Sequence, residues 1–222
     1  MRHLTGRKAF QSQAMFLLKA QGAFHTEAGI EPLIAKRLEF DPAVVRMRSQ
    51  PLRVDLVIDG KPVSYTPDMA VLFDNGDRAI WEVKPDWHHL QDDHYMRKLT
   101  LAAFTFLERG WHFRTLVRAQ FDETSSETNR IINDSISLMF PSRLTVITES
   151  QKAAVARLLI AGSSTLGAVC AVIGGTVAAA RARAYAMMAR RLINIDLTRP
   201  LTDSSPVHAV AALPDYLPPL RF

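Results

Sequence analysis

The sequence predicts a mixed α/β domain followed by a smaller helical domain, and three observations support this fold class. Between residues 26 and 119, segments with helical and strand periodicity follow one another in the order α-β-β-β-α-β. From residue 149 onward the chain is rich in alanine and has the pattern of short helices. A linker near residues 141–148 separates the two parts, so we predict domains at residues 1–148 and 149–222.

Composition limits the class of protein. The chain has 222 residues, a formal net charge of +5 and one cysteine, Cys170. A single cysteine excludes an internal disulfide framework and a zinc site built from several cysteines, and it fits a reducing, cytoplasmic setting. The positive net charge favours an anionic partner such as nucleic acid.

The first elements follow from simple signals. Residues 1–25 are basic and are predicted to form an arm or a first helix. A helix is expected over residues 26–39, where Pro32 is compatible only with the first turn, and Pro42 ends it. Alternating apolar and polar residues then predict three strands, at residues 52–59, 64–73 and 77–84.

A turn at residues 74–76 joins the last two strands and decides which side chains share a face. If all three residues form the loop, Gly76 takes a left-handed conformation and Asp68 lies directly opposite Glu82. A two-residue turn would instead pair Asp68 with Val83 and send the two carboxylates to opposite faces. We predict the three-residue loop. The opposite face then carries Met69, Val71, Trp81 and Val83 into the core.

The remaining elements complete the predicted architecture. A helix over about residues 90–109 with Gly110 as its C-cap, a fourth strand at 113–119 and a helix at 125–140 finish the first domain. Three short helices and a β-ribbon follow, which is the pattern of a winged-helix domain. Residues 213–222 are rich in proline and are expected to form an extended tail.

One uncharged run could be mistaken for a membrane span. Residues 158–180 contain no charged side chain, and a run of this length is long enough to cross a bilayer. The run also contains several glycines and hydroxyl residues, and Thr165 and Thr176 resemble helix N-caps. We therefore predict short packed helices and no membrane contact.

Asp68, Glu82 and Lys84 indicate metal-dependent cleavage of a phosphodiester. Mg²⁺, with Mn²⁺ as a substitute, is bound by one or two carboxylates with other oxygens. Asp68 and Glu82 can supply the carboxylates, and the backbone carbonyl of Val83 can add a third oxygen. Lys84 projects from the same face as Glu82, where its ammonium can orient water or stabilise charge on the phosphate. Glu31, from the preceding helix, is the candidate for a further acid.

A structural interpretation of the same residues stays open at this point. Glu82 and Lys84 could form an edge-strand ion pair, with Asp68 capping a turn. The setting in a hairpin within an α-β-β-β-α-β order favours the nuclease hypothesis.

Four separated motifs resemble a known family. They are "IEPLIAKRLEFDPAVVRMRSQP", "YTPDMAVLF", "WEVKP" and "RKLTLAAFTFLERGWHFRTL", and they occur in this order within residues 25–120. The arrangement resembles the PD-(D/E)xK nuclease superfamily, and more narrowly TnsA, the endonuclease subunit of heteromeric cut-and-paste transposases. The resemblance implies a restriction-endonuclease-like mixed sheet flanked by helices, followed by a winged helix.

The resemblance also implies roles for individual residues. Gln50 falls on the Gln-Pro position of the family and supports the site. One departure is Pro32, which follows the helix acid directly where the family continues a regular helix, so Glu27 is the alternative to Glu31. The implied catalytic residues are Glu31, Asp68, Glu82 and Lys84.

The implied reaction is Mg²⁺-dependent nicking of the 5′ non-transferred strand at transposon ends. A DDE-type transposase would process the 3′ strand, and an AAA+ ATPase would regulate the pair in the bacterial cytoplasm, at the nucleoid when active. Two alternatives stay open. One is a stand-alone nuclease of a restriction or defence system, and the other is a catalytically quiet module that binds DNA or protein.

Other polar clusters are candidates for binding. Residues 87–95, "WHHLQDDHY", could bind a metal ion or could be the solvated start of a helix. Arg97 and Lys98 could hold a phosphate near the active site. In the predicted recognition helix, four arginines could contact DNA, face water or serve in protein docking. They are Arg181, Arg183, Arg190 and Arg191.

Overall fold

The computed structural model describes residues 13–27 and 29–220. The first 12 residues of the expected basic arm lie outside the described residues. The rest of that arm forms a short antiparallel hairpin of two strands, β1 (Gln13–Met15) and β2 (Phe24–Thr26). Lys19, between these strands, is only 6% exposed, so this part of the segment is packed and is not an extended arm.

Contacts divide the chain into two compact units. The first contains the described residues up to Ala35, Val44–Phe121 and the segment from Leu213. The second contains Lys36–Ala43 and Asp122–Ala212.

This division differs from the predicted boundary between residues 148 and 149. The helix Glu127–Met139 belongs to the second unit, because Ile136 and Met139 are buried in its core. The proline-rich end of the chain belongs to the first unit, where Leu220 is fully buried. The predicted tail is therefore packed against the first unit.

Six further strands form two sheets in the first unit. The central sheet has the order β3-β6-β7-β8 and is mixed, since β7 and β8 are parallel and the other neighbours are antiparallel. Strands β4 and β5 form a separate hairpin. The strands are β3 (Val44–Ser49), β4 (Val54–Ile58), β5 (Lys61–Tyr65), β6 (Met69–Phe73), β7 (Arg78–Lys84) and β8 (His112–Val117).

The predicted strands are present, with two differences. The segment 52–59 contains β4, which lies outside the central sheet, and the edge of that sheet is formed by β3, which the sequence pattern did not indicate. A register irregularity between Val44 and Arg46 interrupts the alternation of β3 and hides its signal. The segment 64–73 is divided into β5 and β6 at Pro67, because proline cannot donate to a ladder.

Helices lie where the sequence placed them, within a few residues. Helix α1 is Glu31–Phe40, so it begins later than the predicted residue 26, which lies in β2, and Pro32 falls in its first turn as predicted. Helix α2 is Asp93–Leu107, and it packs on the central sheet through Leu99, Ala102 and Phe106. A 3-10 turn at Trp87–Leu90 precedes α2, and Glu127–Met139 is α3.

The hairpin between β6 and β7 has the predicted register. Met69 pairs with Trp81 and Leu72 pairs with Arg78, so continuing the ladder by one residue puts Asp68 opposite Glu82. Gly76 has φ +88°, and its N–H donates to the carbonyl of Phe73 at 3.1 Å. On the opposite face Met69, Val71 and Val83 are buried as expected, and Trp81 is half-buried.

The second unit has its own core, to which α3 contributes. Its further elements run in the order helix, strand, helix, helix, strand, strand, and the three strands form one sheet in the order β10-β11-β9. Thr165 and Thr176 cap two of the helices, as predicted. The elements are α4 (Glu149–Ile160), β9 (Ser164–Thr165), α5 (Leu166–Ile173), α6 (Val177–Ala189), β10 (Ile193–Ile195) and β11 (Pro206–Ala209).

No single helix among residues 13–27 and 29–220 is long and apolar enough to cross a membrane. Helices α5 and α6 meet that test only together, as a pair bent by 108°.

Replacing Gly76 tests the turn that sets the register. Gly76→Ala should lower the free energy of unfolding by about 1 kcal/mol, because an L-residue is strained in the left-handed conformation. Space is not the cause, since an added Cβ would meet only Pro218 Cδ at 3.7 Å. Gly76→Asn is the control. It should lower the free energy of unfolding by less than Gly76→Ala does, because asparagine tolerates this conformation. Urea denaturation measures both, and equal losses would contradict the prediction.

Candidate active site

One cavity of the first unit contains the acids and the lysine that the sequence singles out. It has a volume of about 700 Å³ and lies where β6 begins and β7 ends. Two tyrosines, on β5 and α2, also line it. The residues that matter for its chemistry are Glu31, Tyr65, Asp68, Glu82, Lys84 and Tyr95.

Backbone hydrogen bonds hold Asp68 at the start of β6. Its Oδ2 accepts the N–H of Val83 at 2.7 Å, and its carbonyl accepts the N–H of Gln50 at 2.8 Å. Gln50 has φ +42°, in the left-handed region, at the end of β3. The backbone of Gln50 thus joins the end of β3 to Asp68, and its supporting role in the site stays a prediction.

Glu82 accepts three hydrogen bonds although it is only 4% exposed. The Nζ of Lys84 donates to Oε1 at 2.5 Å. The hydroxyl of Tyr95 donates to Oε1 at 2.5 Å, and the hydroxyl of Tyr65 donates to Oε2 at 2.6 Å. The ion pair of the structural alternative is therefore present, but on a strand between β6 and β8 and not at an edge, and it is part of a larger buried cluster.

The two tyrosines are not predicted as site residues from the sequence. Tyr65 is the first residue of the "YTPD" motif and Tyr95 is the last residue of "WHHLQDDHY", so both lie in motifs already singled out for other residues. Their shared contact with Glu82 depends on how β5 and α2 pack on β7. No local pattern shows that packing.

Glu31 is the first residue of α1 and lines the cavity. Its Oε2 accepts the backbone N–H of Glu27 at 2.8 Å. Glu27 lines the same cavity. Both candidates for the helix acid therefore lie at the site.

Burial and mutual repulsion raise the pKa of two carboxyl groups. Burial, with the charge of Asp68 as a smaller cause, raises the pKa of Glu31 to about 8. Burial and the charge of Glu82 raise the pKa of Asp68 to about 7, against the opposing effects of Lys84 and the Val83 N–H. Ionisation of Glu31 and Asp68 in this cavity therefore costs free energy.

Lys84 keeps its positive charge in this setting. Burial acts to lower the pKa of Lys84, but the charges of Glu82 and Asp68 more than offset burial, and the pKa is raised. Burial and the charge of Glu82 raise the pKa of Tyr65 and of Tyr95. The hydroxyls consequently remain protonated donors near neutral pH.

The Val83 carbonyl lies on the side of the strand that the metal hypothesis requires. The Val83 N–H points towards Asp68, and the N–H and C=O of one strand residue point to the same side. The carbonyl oxygen therefore points towards the β6 side, beside Asp68.

The donor set fits a hard divalent cation. Asp68, Glu82 and the Val83 carbonyl provide the one or two carboxylates and the additional oxygen that Mg²⁺ takes. A cation would also relieve the repulsion that raises the pKa of Asp68. Within the part of the chain that the structure describes, no three Asp, Glu, His or Cys side chains surround one point. Glu31 is therefore not brought into the same ligand set.

Lys98 and Arg97, the two predicted phosphate-binding residues, differ in whether they line the cavity. Lys98 lines the cavity, as the phosphate-binding hypothesis requires. Arg97 does not, because its guanidinium pairs with Asp59 at 3.1 Å on an exposed surface. Asp92 caps α2 by accepting the N–H of Tyr95, and Asp86 caps the 3-10 turn. These contacts favour the helix-start interpretation of residues 87–95.

The four arginines of the second unit make different contacts. Arg190 donates to the carbonyls of Arg143 and Ala186, and Arg191 donates to the carbonyl of Pro42. Both follow α6 and hold backbone, so they are not placed as base-reading residues. Arg181 and Arg183 lie on α6, where Arg181 pairs with Asp203 at 2.7 Å.

Comparison with known proteins bears on the first unit. A family model described as "TnsA-like endonuclease N terminal" matches residues 41–117. The match includes Asp68, Glu82 and Lys84 and leaves out Glu31 and residues 118–222. A search of curated proteins finds no significant match. The mixed sheet and helices of the first unit fit a nuclease fold of this type.

The raised pKa values predict how stability depends on pH without divalent ions. Both groups have lower pKa values when unfolded, 3.8 for Asp68 and 4.5 for Glu31, so the unfolded chain binds fewer protons between about pH 4 and 8. The stability that these two groups contribute to the folded state is fully present below about pH 4, and it is lost as the pH rises through their folded-state pKa values of about 7 and 8. The free energy of unfolding in EDTA should therefore fall between pH 5 and 8.

Asp68→Asn and Glu31→Gln provide the comparison, since each amide oxygen can still accept the backbone N–H. Each variant should show a shallower fall than the wild-type chain in urea denaturation at several pH values. An unchanged slope in both variants would contradict the assignment of the pH dependence to these two groups.

Proposed function

We propose that this chain, a TnsA-like nuclease whose endonuclease domain includes residues 41–117, is a Mg²⁺-dependent DNA endonuclease. The observation that carries the proposal is the register of the β6–β7 hairpin. It puts Asp68 opposite Glu82 on adjacent strands, with Lys84 on the same face and in contact with Glu82. A net charge of +5 supports an anionic substrate.

Asp68, Glu82 and the Val83 carbonyl would hold the cation. When bound, Mg²⁺ lowers the pKa of an attacking water and neutralises charge on the phosphate. Mn²⁺ has the same ligand preferences and could replace it. Glu31, at the edge of the same cavity, would act on the water or on a nearby group and not as a ligand of the same ion.

Lys84 and Lys98 would act on the DNA. Lys84 stays cationic at neutral pH, and its Nζ can donate to a phosphate oxygen where negative charge develops. Lys98, one turn after Tyr95 on α2, lines the same cavity and can contact an adjacent phosphate. Phosphate contacts of this kind set the position of the strand and carry no sequence information.

The family suggests the biological reaction. We place the chain in a cut-and-paste transposition system of the bacterial cytoplasm, where it nicks the 5′ non-transferred strand at transposon ends. A DDE-type transposase would cut the 3′ strand, and an AAA+ ATPase would regulate the two enzymes. Activity of the chain alone should be low, since an unrestrained nuclease would damage its host.

The second unit supports this assignment by its order of elements. We propose that the second unit is a winged-helix domain, and the order α4-β9-α5-α6-β10-β11 with one three-stranded sheet supports this proposal. We propose that it binds DNA through Arg181 and Arg183 on α6. Docking of the partner ATPase is its alternative role.

Cleavage should require Mg²⁺ or Mn²⁺ and be poor with Ca²⁺, because Ca²⁺ does not impose the octahedral geometry of Mg²⁺. Nicking of a supercoiled plasmid that carries transposon ends, with the partner proteins present, measures this. Full activity in EDTA would refute the metal-dependent mechanism.

Two substitutions separate metal binding from phosphate chemistry. Lys84→Ala should lower the cleavage rate by about 100- to 1,000-fold, since it removes one donor to the developing charge, and it should still bind Mn²⁺. Asp68→Ala should lose both cleavage and Mn²⁺ binding. Plasmid nicking and calorimetry measure the two properties.

Lys152→Ala is the control for Lys84→Ala. It removes an exposed ammonium that pairs with Glu149 in the second unit and should leave both properties unchanged. Normal Mn²⁺ affinity in Asp68→Ala would show that Asp68 is not a ligand.

A further inference from the structure

Two tyrosine hydroxyls meet at the carboxylate of Glu82, and the proposed mechanism gives them no role. Tyr65 donates to Oε2 at 2.6 Å and Tyr95 donates to Oε1 at 2.5 Å. Tyr65 comes from β5, which is outside the central sheet, and Tyr95 comes from the first turn of α2. Two elements that are not part of β7 therefore send a donor to the same buried acid.

Both tyrosines are themselves held in place. Tyr65 is 3% exposed and its ring lies 6.4 Å from the ring of Phe113. The backbone N–H of Tyr95 donates to the carboxylate of Asp92 at 2.6 Å. A donor that is fixed by its own neighbours can fix the orientation of the group that it contacts.

The three donors occupy most of the hydrogen-bond acceptor positions of the Glu82 carboxylate. A carboxylate has about four acceptor positions, two on each oxygen. Tyr95 and Lys84 both donate to Oε1, whereas Tyr65 is the donor to Oε2 in this cluster. The acceptor position that remains for a cation is therefore on Oε2.

The ammonium groups of two lysines lie over the rings of the tyrosines. The Nζ of Lys84 is 5.2 Å from the centre of the Tyr95 ring, and the Nζ of Lys98 is 4.7 Å from it. Lys98 is also 5.7 Å from the Tyr65 ring. The tyrosine hydroxyls donate to Glu82, whereas the tyrosine rings contact the ammonium groups of Lys84 and Lys98. Removing only the hydroxyl therefore separates the contact with Glu82 from the contact with the lysines.

We propose that Tyr65 and Tyr95 are positioning residues that orient the carboxylate of Glu82 and leave its Oε2 as the atom that binds a divalent cation. The inference rests on the proposed metal-dependent function and extends it to two residues that act through Glu82. Hydrogen-bond donors behind a metal-binding carboxylate commonly change metal affinity or activity when they are removed.

A purely structural role gives a different expectation. If the hydroxyls only satisfied a buried acid, their loss would lower the stability of the fold and leave metal affinity unchanged. If they competed with the ion for Glu82, their loss would raise metal affinity. If the hydroxyls position Glu82, their removal should lower the affinity for the metal ion while the protein stays folded.

The experiment measures Mn²⁺ binding to the full chain by calorimetry at pH 7.5. Tyr65→Phe and Tyr95→Phe should each lower Mn²⁺ affinity by about 10- to 100-fold. Both keep the ring, and hence the contacts with the ammonium groups. Thermal denaturation and circular dichroism establish that each variant is folded under the conditions of the titration.

Two other tyrosines provide matched controls. Tyr185 is 5% exposed in the core of the second unit, and Tyr216 is 75% exposed. Tyr185→Phe and Tyr216→Phe should bind Mn²⁺ as the wild-type chain does. A similar loss in Tyr185→Phe would show a general effect of removing a buried hydroxyl and would overturn the proposal.

The remaining outcomes are distinct. Wild-type binding with unchanged or increased affinity in both site variants would overturn the role of the tyrosines and leave the proposed function standing. Absence of Mn²⁺ binding by the wild-type chain would count against the metal-dependent function itself.

Discussion

Repulsion between two carboxylates held opposite one another on neighbouring strands is the constraint on which the site of this protein depends. Asp68 and Glu82 occupy these positions because a three-residue turn at residues 74–76 sets the ladder of the hairpin. A shift of one residue would move every side chain of one strand to the other face. The turn therefore determines whether the two acids lie on one face, and the left-handed backbone of Gly76 is what permits this turn.

The surrounding elements reduce the cost of that arrangement without removing it. Lys84, Tyr65 and Tyr95 donate to Glu82, whereas Asp68 has the N–H of Val83 and a pKa raised to about 7. Glu31 adds a further acid to the same cavity. A bound cation would favour the ionised form of these acids, and the ammonium groups of Lys84 and Lys98 could contact a phosphate beside it. In the proposed function, the cation and the phosphate of the DNA would bind in adjacent parts of this cavity.

Much of the fold could be predicted because its signals are local. Helix α1, helix α2 and the β6–β7 hairpin each follow from caps, prolines or period-two alternation over short segments. Strand β3 could not be predicted in this way, since an irregularity at Val44 and Arg46 breaks its alternation. Nor could the boundary between the two units, because the helix Glu127–Met139 packs into the second core through contacts with residues far along the chain.

For the site, the sequence alone determined the identity, spacing and shared face of Asp68, Glu82 and Lys84. Strand periodicity and turn chemistry act over about ten residues and leave few alternatives. Only the tertiary structure decided which residues from other elements meet these three. It brought Tyr65 and Tyr95 to Glu82, left Glu31 outside a common ligand set, and assigned Arg190 and Arg191 to backbone carbonyls. Such contacts join residues that are distant in sequence, so they depend on the packing of whole helices and strands, which no local pattern encodes.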